Sequence, residues 1–129
     1  MGTIRRFEDL EVWALARQLN IDLLPYLEQL DGTRNFELKK QLAGAAGSVM
    51  DNIAEGFERD GNREFIQFLA ISKGSLGEVR SQLYRVFDRN LIQQKEFDLL
   101  QEYCIILASK ISAFMNYLRN SGFKGGKFK

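Results

Sequence analysis

Along most of the chain, apolar side chains return at alternating intervals of four and three residues, the spacing that aligns one face of an α-helix. From about Glu8 to Leu30 the series is Val12, Ala16, Leu19, Leu23, Tyr26 and Leu30. Leu10, Ala14, Ile21 and Leu24 form a second stripe beside it. Pro25 lacks an amide proton and crowds the preceding turn, so a kink or break is expected near Asp22 to Leu24. Asp31-Gly32-Thr33 reads as a stop. A second helix is expected from an N-cap at Asn35 to Phe57 or Arg59, with Leu38, Leu42, Ala45, Val49 and Ile53 as its main face. Phe36, Ala43, Gly47, Met50 and Ala54 lie on another side, so this helix should be covered on two sides. After the turn Asp60-Gly61-Asn62, a third helix over about Arg63 to Asn90 carries Phe65, Leu69, Ser72, Leu76, Val79, Leu83 and Val86. The fourth begins at Gln94 or Lys95 and runs to about Arg119, with Phe97, Leu100, Cys104, Leu107, Ile111, Phe114 and Leu118 in an unbroken heptad stripe. Leu99, Tyr103, Ile106, Ala113 and Tyr117 widen that stripe.

Long helices joined by short connections pack against their antiparallel neighbours. The pattern therefore predicts an all-α, up-down-up-down four-helix bundle over residues 1–120, followed by a flexible basic tail over 121–129. The helices carry more apolar surface than one seam uses, which points to a homo-oligomer. The candidate interface is two strips of small residues: Ala43, Gly47 and Ala54 on the second helix, and Ala70, Gly74, Gly77 and Ser81 on the third. Glycine inside a helix costs about 0.5–1 kcal/mol relative to alanine, so close packing is expected to offset it.

Composition narrows the function more by exclusion than by motif. The chain has 129 residues, 45% of them hydrophobic and 27% charged, which fits one globular domain. The lone Cys104 cannot make an internal disulfide and fits a reducing, cytoplasmic setting. No leader pattern and no apolar run long enough for a membrane span is visible, so no membrane partner is expected. The chain has no histidine, which removes Ser-His and Cys-His nucleophiles and most zinc sites. No phosphate-cradling glycine loop is present. No catalytic residue, cofactor, metal or small-molecule substrate is expected, and the chain reads as a non-enzyme. Cys104 falls on the core stripe, and Glu55 and Glu78 fall away from theirs, so neither suggests chemistry. Trp13 reads as partly buried packing. Asn52 sits beside the core stripe, where its amide needs partners.

Net charge is +1, which gives no general attraction to nucleic acid. Beyond Glu102, however, there are no acids. Lys110, Arg119, Lys124, Lys127 and Lys129, with Arg5 and Arg6 from the other terminus, are the candidate weak contacts to RNA or DNA.

The segment Asn52-Ile53-Ala54-Glu55-Gly56, then Glu64-Phe65 and Phe68-Leu69, then Gly74-Ser75-Leu76 with Glu78, resembles the four-helix-bundle proteins encoded by intervening sequences within bacterial 23S rRNA genes. Phe7-Glu8-Asp9-Leu10 with Val12-Trp13 matches the start of that family, and the likeness covers about residues 7–118. It implies an antiparallel bundle assembled as a ring-like homopentamer. The fold it implies is similar to that of the accessory variability determinant proteins of diversity-generating retroelements, which are basic and bind nucleic acid and a reverse transcriptase. The sequence departs from the family where Gln41-Leu42 is followed by Ala43-Gly44 instead of basic residues, which weakens a nucleic-acid role for that helix. The expected function is a homo-oligomeric assembly and binding module contacting RNA or DNA weakly. The alternative is a protein-only adaptor for a nucleic-acid enzyme such as a reverse transcriptase.

Overall fold

The computed structural model describes residues 3–121. A short 3₁₀ turn, Phe7–Asp9, precedes four helices: α1 Glu11–Gly32, α2 Phe36–Glu58, α3 Asn62–Asp88 and α4 Gln94–Ser121. No strand occurs among the described residues. Of the tail expected over 121–129, Ser121 is the last residue of α4, and 122–129 lie outside the described residues.

The first helix begins later than its apolar pattern suggests. Leu10 is extended (φ −81°, ψ 127°) and separates the 3₁₀ turn from α1. The Asp9 carboxylate accepts hydrogen bonds from the amides of Arg5 (3.0 Å) and Arg6 (3.3 Å), which holds the turn apart from the helix. Those amides, Arg5's foremost, lower the Asp9 pKa. Phe7 packs edge-on against Trp13 at 5.1 Å.

Pro25 does not break α1, which runs through it without interruption. Pro25 and Ile21, whose carbonyl it cannot bond, are both exposed, so water can serve the freed acceptor. The stop also differs in detail from the expectation. Gly32 is the last helical residue, and the left-handed position is Arg34 (φ 64°). The Arg34 amide donates to the Asp31 carbonyl, and the Asn35 amide reaches back to Leu30 at 2.7 Å. Asn90 (φ 60°) ends α3 in the same way, with Asn90 donating to Phe87 and Leu91 to Val86. Both are Schellman closures, in which a left-handed residue satisfies the last carbonyls. Gly61 (φ 99°) precedes α3, where a side chain would be strained. Asn35 stands at the N-cap of α2 but makes no capping bond with its side chain.

Neighbouring helices run in opposite directions. Between α2 and α3, contacts climb one helix as they descend the other: Arg89 to Asn35, Arg85 to Gln41, Ser75 to Ser48, and Phe65 to Gly56. Phe97 meets Phe87, Gln101 meets Arg80, and Phe114 meets Phe65, which sets α4 antiparallel to α3. Asp31 with Lys39 and Asn20 with Ala46 do the same for α1 and α2, and Leu15 with Tyr103 and Glu11 with Lys110 for α1 and α4. The helices therefore form a square in chain order, and both described termini lie at one end.

The main apolar faces predicted from periodicity all turn inward. Leu19, Leu23, Leu42, Ile53, Phe65, Leu69, Leu76, Leu83, Leu107 and Ile111 are fully buried. The second stripe of α1 and the residues expected to widen the α4 stripe do not follow. Leu10 is buried, but Ala14, Ile21 and Leu24 face solvent, and on α4 Tyr103 is half-buried while Leu99, Ile106, Ala113 and Tyr117 are exposed. Four neighbours in a square cover one wide face of each helix and leave the opposite face free.

The seam between α2 and α3 is built for close approach. A side chain at Gly56 would sit 2.7 Å from Phe68 Cβ and 2.9 Å from Phe65 Cδ1. The buried Ser72 hydroxyl donates to the Val49 carbonyl at 2.6 Å, and the Ser48 and Ser75 hydroxyls bond at 2.8 Å. These small polar side chains satisfy one another and leave no bulk between the backbones.

Candidate assembly and binding surfaces

The residues that carry the family likeness are mainly structural. Ile53, Gly56, Ser75 and Leu76 are buried. Asn52 donates to the carbonyl and the hydroxyl of Ser48, each at 2.8 Å, so its amide finds partners beside the core as its position demands. Glu55 is exposed and pairs with Arg59 at 3.0 Å on its own helix. Glu78 is also exposed, at the edge of an open groove of about 570 Å³ between α2 and α3. The buried carboxyl pair that acid–base work would use is not formed by these two. Cys104 is buried, and desolvation pushes its thiol up to about 12, so it stays protonated and unreactive. Trp13 is half-buried, as expected.

The two strips of small residues stand differently in the single chain. Ala43, Gly47 and Ala54 are half-buried, whereas Ala70, Gly74, Gly77 and Ser81 are exposed. A side chain added at Gly44, Gly47, Gly74 or Gly77 would meet nothing within 4 Å. The bundle itself therefore gives no packing reason for these glycines. Helical phase puts the α2 strip on the side facing α1, the side from which Ala46 meets Asn20. Large apolar side chains flank it: Leu24 is 52% exposed and Phe36 54%, with Ile21 on the adjacent back of α1.

The described candidate basic residues lie toward one end of the bundle, and three of the four are engaged. Arg6 lies 4.0 Å from Asp9, Lys110 pairs with Glu11 at 3.5 Å, and Arg119 donates to the Asn116 side chain at 2.9 Å. Arg5 is exposed at the same end of the bundle. Lys124, Lys127 and Lys129 lie outside the described residues.

Periodicity could not reveal one arrangement on the other side. Gln101 is buried between α3 and α4, where its amide accepts from Arg80 Nε and donates to the Arg80 carbonyl, both at 2.9 Å. Arg80 is thereby held at the edge of a shallow groove of about 460 Å³ along the α3–α4 seam. The only hint in the sequence was a polar Gln inside an apolar helix, next to the core stripe. No described helix is long and apolar enough to cross a membrane.

Comparison with known proteins agrees with this architecture. A solved structure of a protein of unknown function, from the S23 ribosomal protein family of Bacteroides thetaiotaomicron, matches with a TM-score of 0.75 at 15% identity. The match covers 81% of this chain and 97% of that one, and at such identity it carries the fold alone. No curated protein matches the chain. The family model described as 23S rRNA-intervening sequence protein matches residues 8–113. With most of its length so matched, the chain belongs to the family of 23S rRNA-intervening sequence proteins.

Proposed function

We propose that this protein is a non-enzymatic module that works by assembling with copies of itself, in a ring of five if the family resemblance extends to stoichiometry. The observation that carries this reading is the face shared by α1 and α2. Leu24, Ile21 and Phe36 are exposed beside a strip whose glycine has open space where a side chain would stand. In a lone chain that combination is unfavourable twice: apolar area stays in water, and helix-interior glycines lose about 0.5–1 kcal/mol each. A helix from another copy, seated on the strip and flanked by those side chains, removes both losses. A ring also needs a second, different face on each copy, because its contacts are head-to-tail. The α3 strip is the candidate for that role.

Light scattering at tens of micromolar tests the reading, and a clean monomer would sink it. Gly47→Leu and Gly74→Leu tell the two strips apart. At neither position does a Cβ meet anything in its own chain within 4 Å, and circular dichroism of each variant checks that the larger side chain leaves the fold intact. A variant on a true interface should dissociate or shift to smaller species. If both remain wild-type in size, the strips are not the contacts.

The adaptor alternative draws on no feature of its own. The nucleic-acid contacts expected at the termini draw limited support: Arg6 and Lys110 pair with carboxylates, while Arg119 bonds only the neutral Asn116 side chain.

A further inference from the structure

The groove between α3 and α4 is lined by two cations and several uncharged polar side chains. Lys73 and Arg80 stand seven residues apart on the α4-facing side of α3, with Ser109, Ser112 and Asn116 opposite on α4. None of the residues lining it is acidic. Neither Lys73 nor Arg80 is among the described cations paired with a carboxylate, which are Arg6, Lys39, Arg59 and Lys110. Arg80 is half-buried and oriented, because the buried Gln101 accepts from its Nε at 2.9 Å and leaves the terminal nitrogens as its remaining donors. A pre-set guanidinium suits a phosphate, which it can engage through two parallel hydrogen bonds.

The same helical line continues past the two cations. Tyr84, four residues beyond Arg80, is 51% exposed and held edge-on by Phe97 at 4.9 Å. Lys73, Arg80 and Tyr84 thus form one stripe about 16 Å long at 1.5 Å per residue, beside the α3 strip proposed for assembly. On α4 the exposed Glu102, next to Gln101, and Asp98, next to Phe97, border the stripe, and the exposed Asp88 lies beyond its Tyr84 end. We infer that this stripe is a binding surface for a single strand of nucleic acid, with Lys73 and Arg80 on phosphates and Tyr84 under a base. Cations tracking the backbone and an aromatic ring taking a base are what unspecific single-strand binding requires. The surface meets the terminal residues considered above at one point, where Asn116 of its lining accepts a hydrogen bond from Arg119, and the inference does not rest on self-assembly.

Fluorescence anisotropy with labelled twelve-nucleotide RNA and DNA strands, on the full chain at about 50 mM and about 200 mM salt, tests it. Binding should appear at the lower salt and weaken at the higher. Lys73→Glu, at an exposed site, should reduce affinity about tenfold or more and lower the dependence on salt. Tyr84→Leu should reduce affinity with the salt dependence unchanged. A full-length chain with Lys124, Lys127 and Lys129 all replaced by Ala should keep most of its affinity. Absence of binding at low salt, or wild-type affinity in Lys73→Glu, overturns the inference. So does loss confined to the triple replacement, which would assign binding to the tail. Full competition by millimolar inorganic phosphate would mean a site for a free anion and not a strand. If Lys73→Glu changes the size seen by light scattering and leaves affinity intact, the groove takes an acidic face of another copy, and the inference fails.

Discussion

Gly56 gives the sharpest test of how α2 and α3 pack. Replacing it with Ala adds one methyl group at a position where Phe68 Cβ would lie 2.7 Å away, Phe65 Cδ1 2.9 Å and the Phe65 carbonyl oxygen 3.3 Å. Phe65 has little freedom to withdraw. It is fully buried, and its ring meets Phe57 at 6.0 Å and Phe114 at 5.4 Å, both edge-on. Phe68 is contacted through its Cβ, which moves only with the α3 backbone. Two terms compete. Helix propensity favours Ala by about 0.5–1 kcal/mol. Overpacking a close contact costs about 1–3 kcal/mol. The clash involves backbone-tied atoms and a locked ring, so the upper part of that range applies and the net loss should be about 1–2 kcal/mol. Gly44→Ala is the matched control, because it lies in the same helix with nothing within 4 Å of the added carbon. There only propensity acts, and stability should rise by about 0.5–1 kcal/mol. Urea melts and thermal melts, each followed by circular dichroism at fixed protein concentration, measure both. For a chain of this size the two variants should separate by several degrees in Tm. A Gly56→Ala protein as stable as Gly44→Ala would refute the close approach of α2 and α3.

Leu76→Ala and Leu107→Ala, both in the core, should each lose about 2–5 kcal/mol in thermal melts, while exposed Arg85→Ala should change little; equal losses in all three would mean the helix faces are misassigned. Arg34→Gly removes the strain of a left-handed arginine and should raise stability by about 1 kcal/mol, whereas a loss would contradict the closure at the end of α1. Burial raises the Cys104 thiol from 9.0 to about 12. Its contribution is therefore whole below pH 9 and falls as pH rises toward 12, by at most about 1.4 kcal/mol per pH unit. Desolvation raises Tyr26 and Tyr103 as well, so Cys104→Ala should flatten only part of the alkaline decline; an unchanged decline would mean that the thiol is not buried.

The sequence by itself determined the four helices and their inward faces. A helix must turn its apolar stripe away from water, and the spacing of Leu69, Leu76 and Leu83, or of Leu100, Cys104, Leu107 and Ile111, admits one buried face whatever the neighbours are. Asn52 beside that face had to find polar partners, and Ser48 supplies them. The likeness read over residues 7–118 agrees with the family match over 8–113, and of the residues that carried it Gly56, Ser75 and Leu76 are buried. Other features depended on which groups meet across helices. Periodicity could not say that the second stripe of α1 stays in solvent, because only the square arrangement shows that no helix covers it. Nor could it locate the left-handed residue at Arg34 instead of Gly32, since that depends on where the last carbonyls of α1 find amides. Gly56 and Gly74 look alike as helix-interior glycines, yet one fills a gap next to Phe65 and Phe68 and the other faces open space. The setting of Arg80 by Gln101 joins residues on two helices, twenty-one positions apart. Local pattern fixes which side of each helix is dry, while long-range packing decides which of the wet sides are left with cations, aromatic rings or bare backbone to offer a partner.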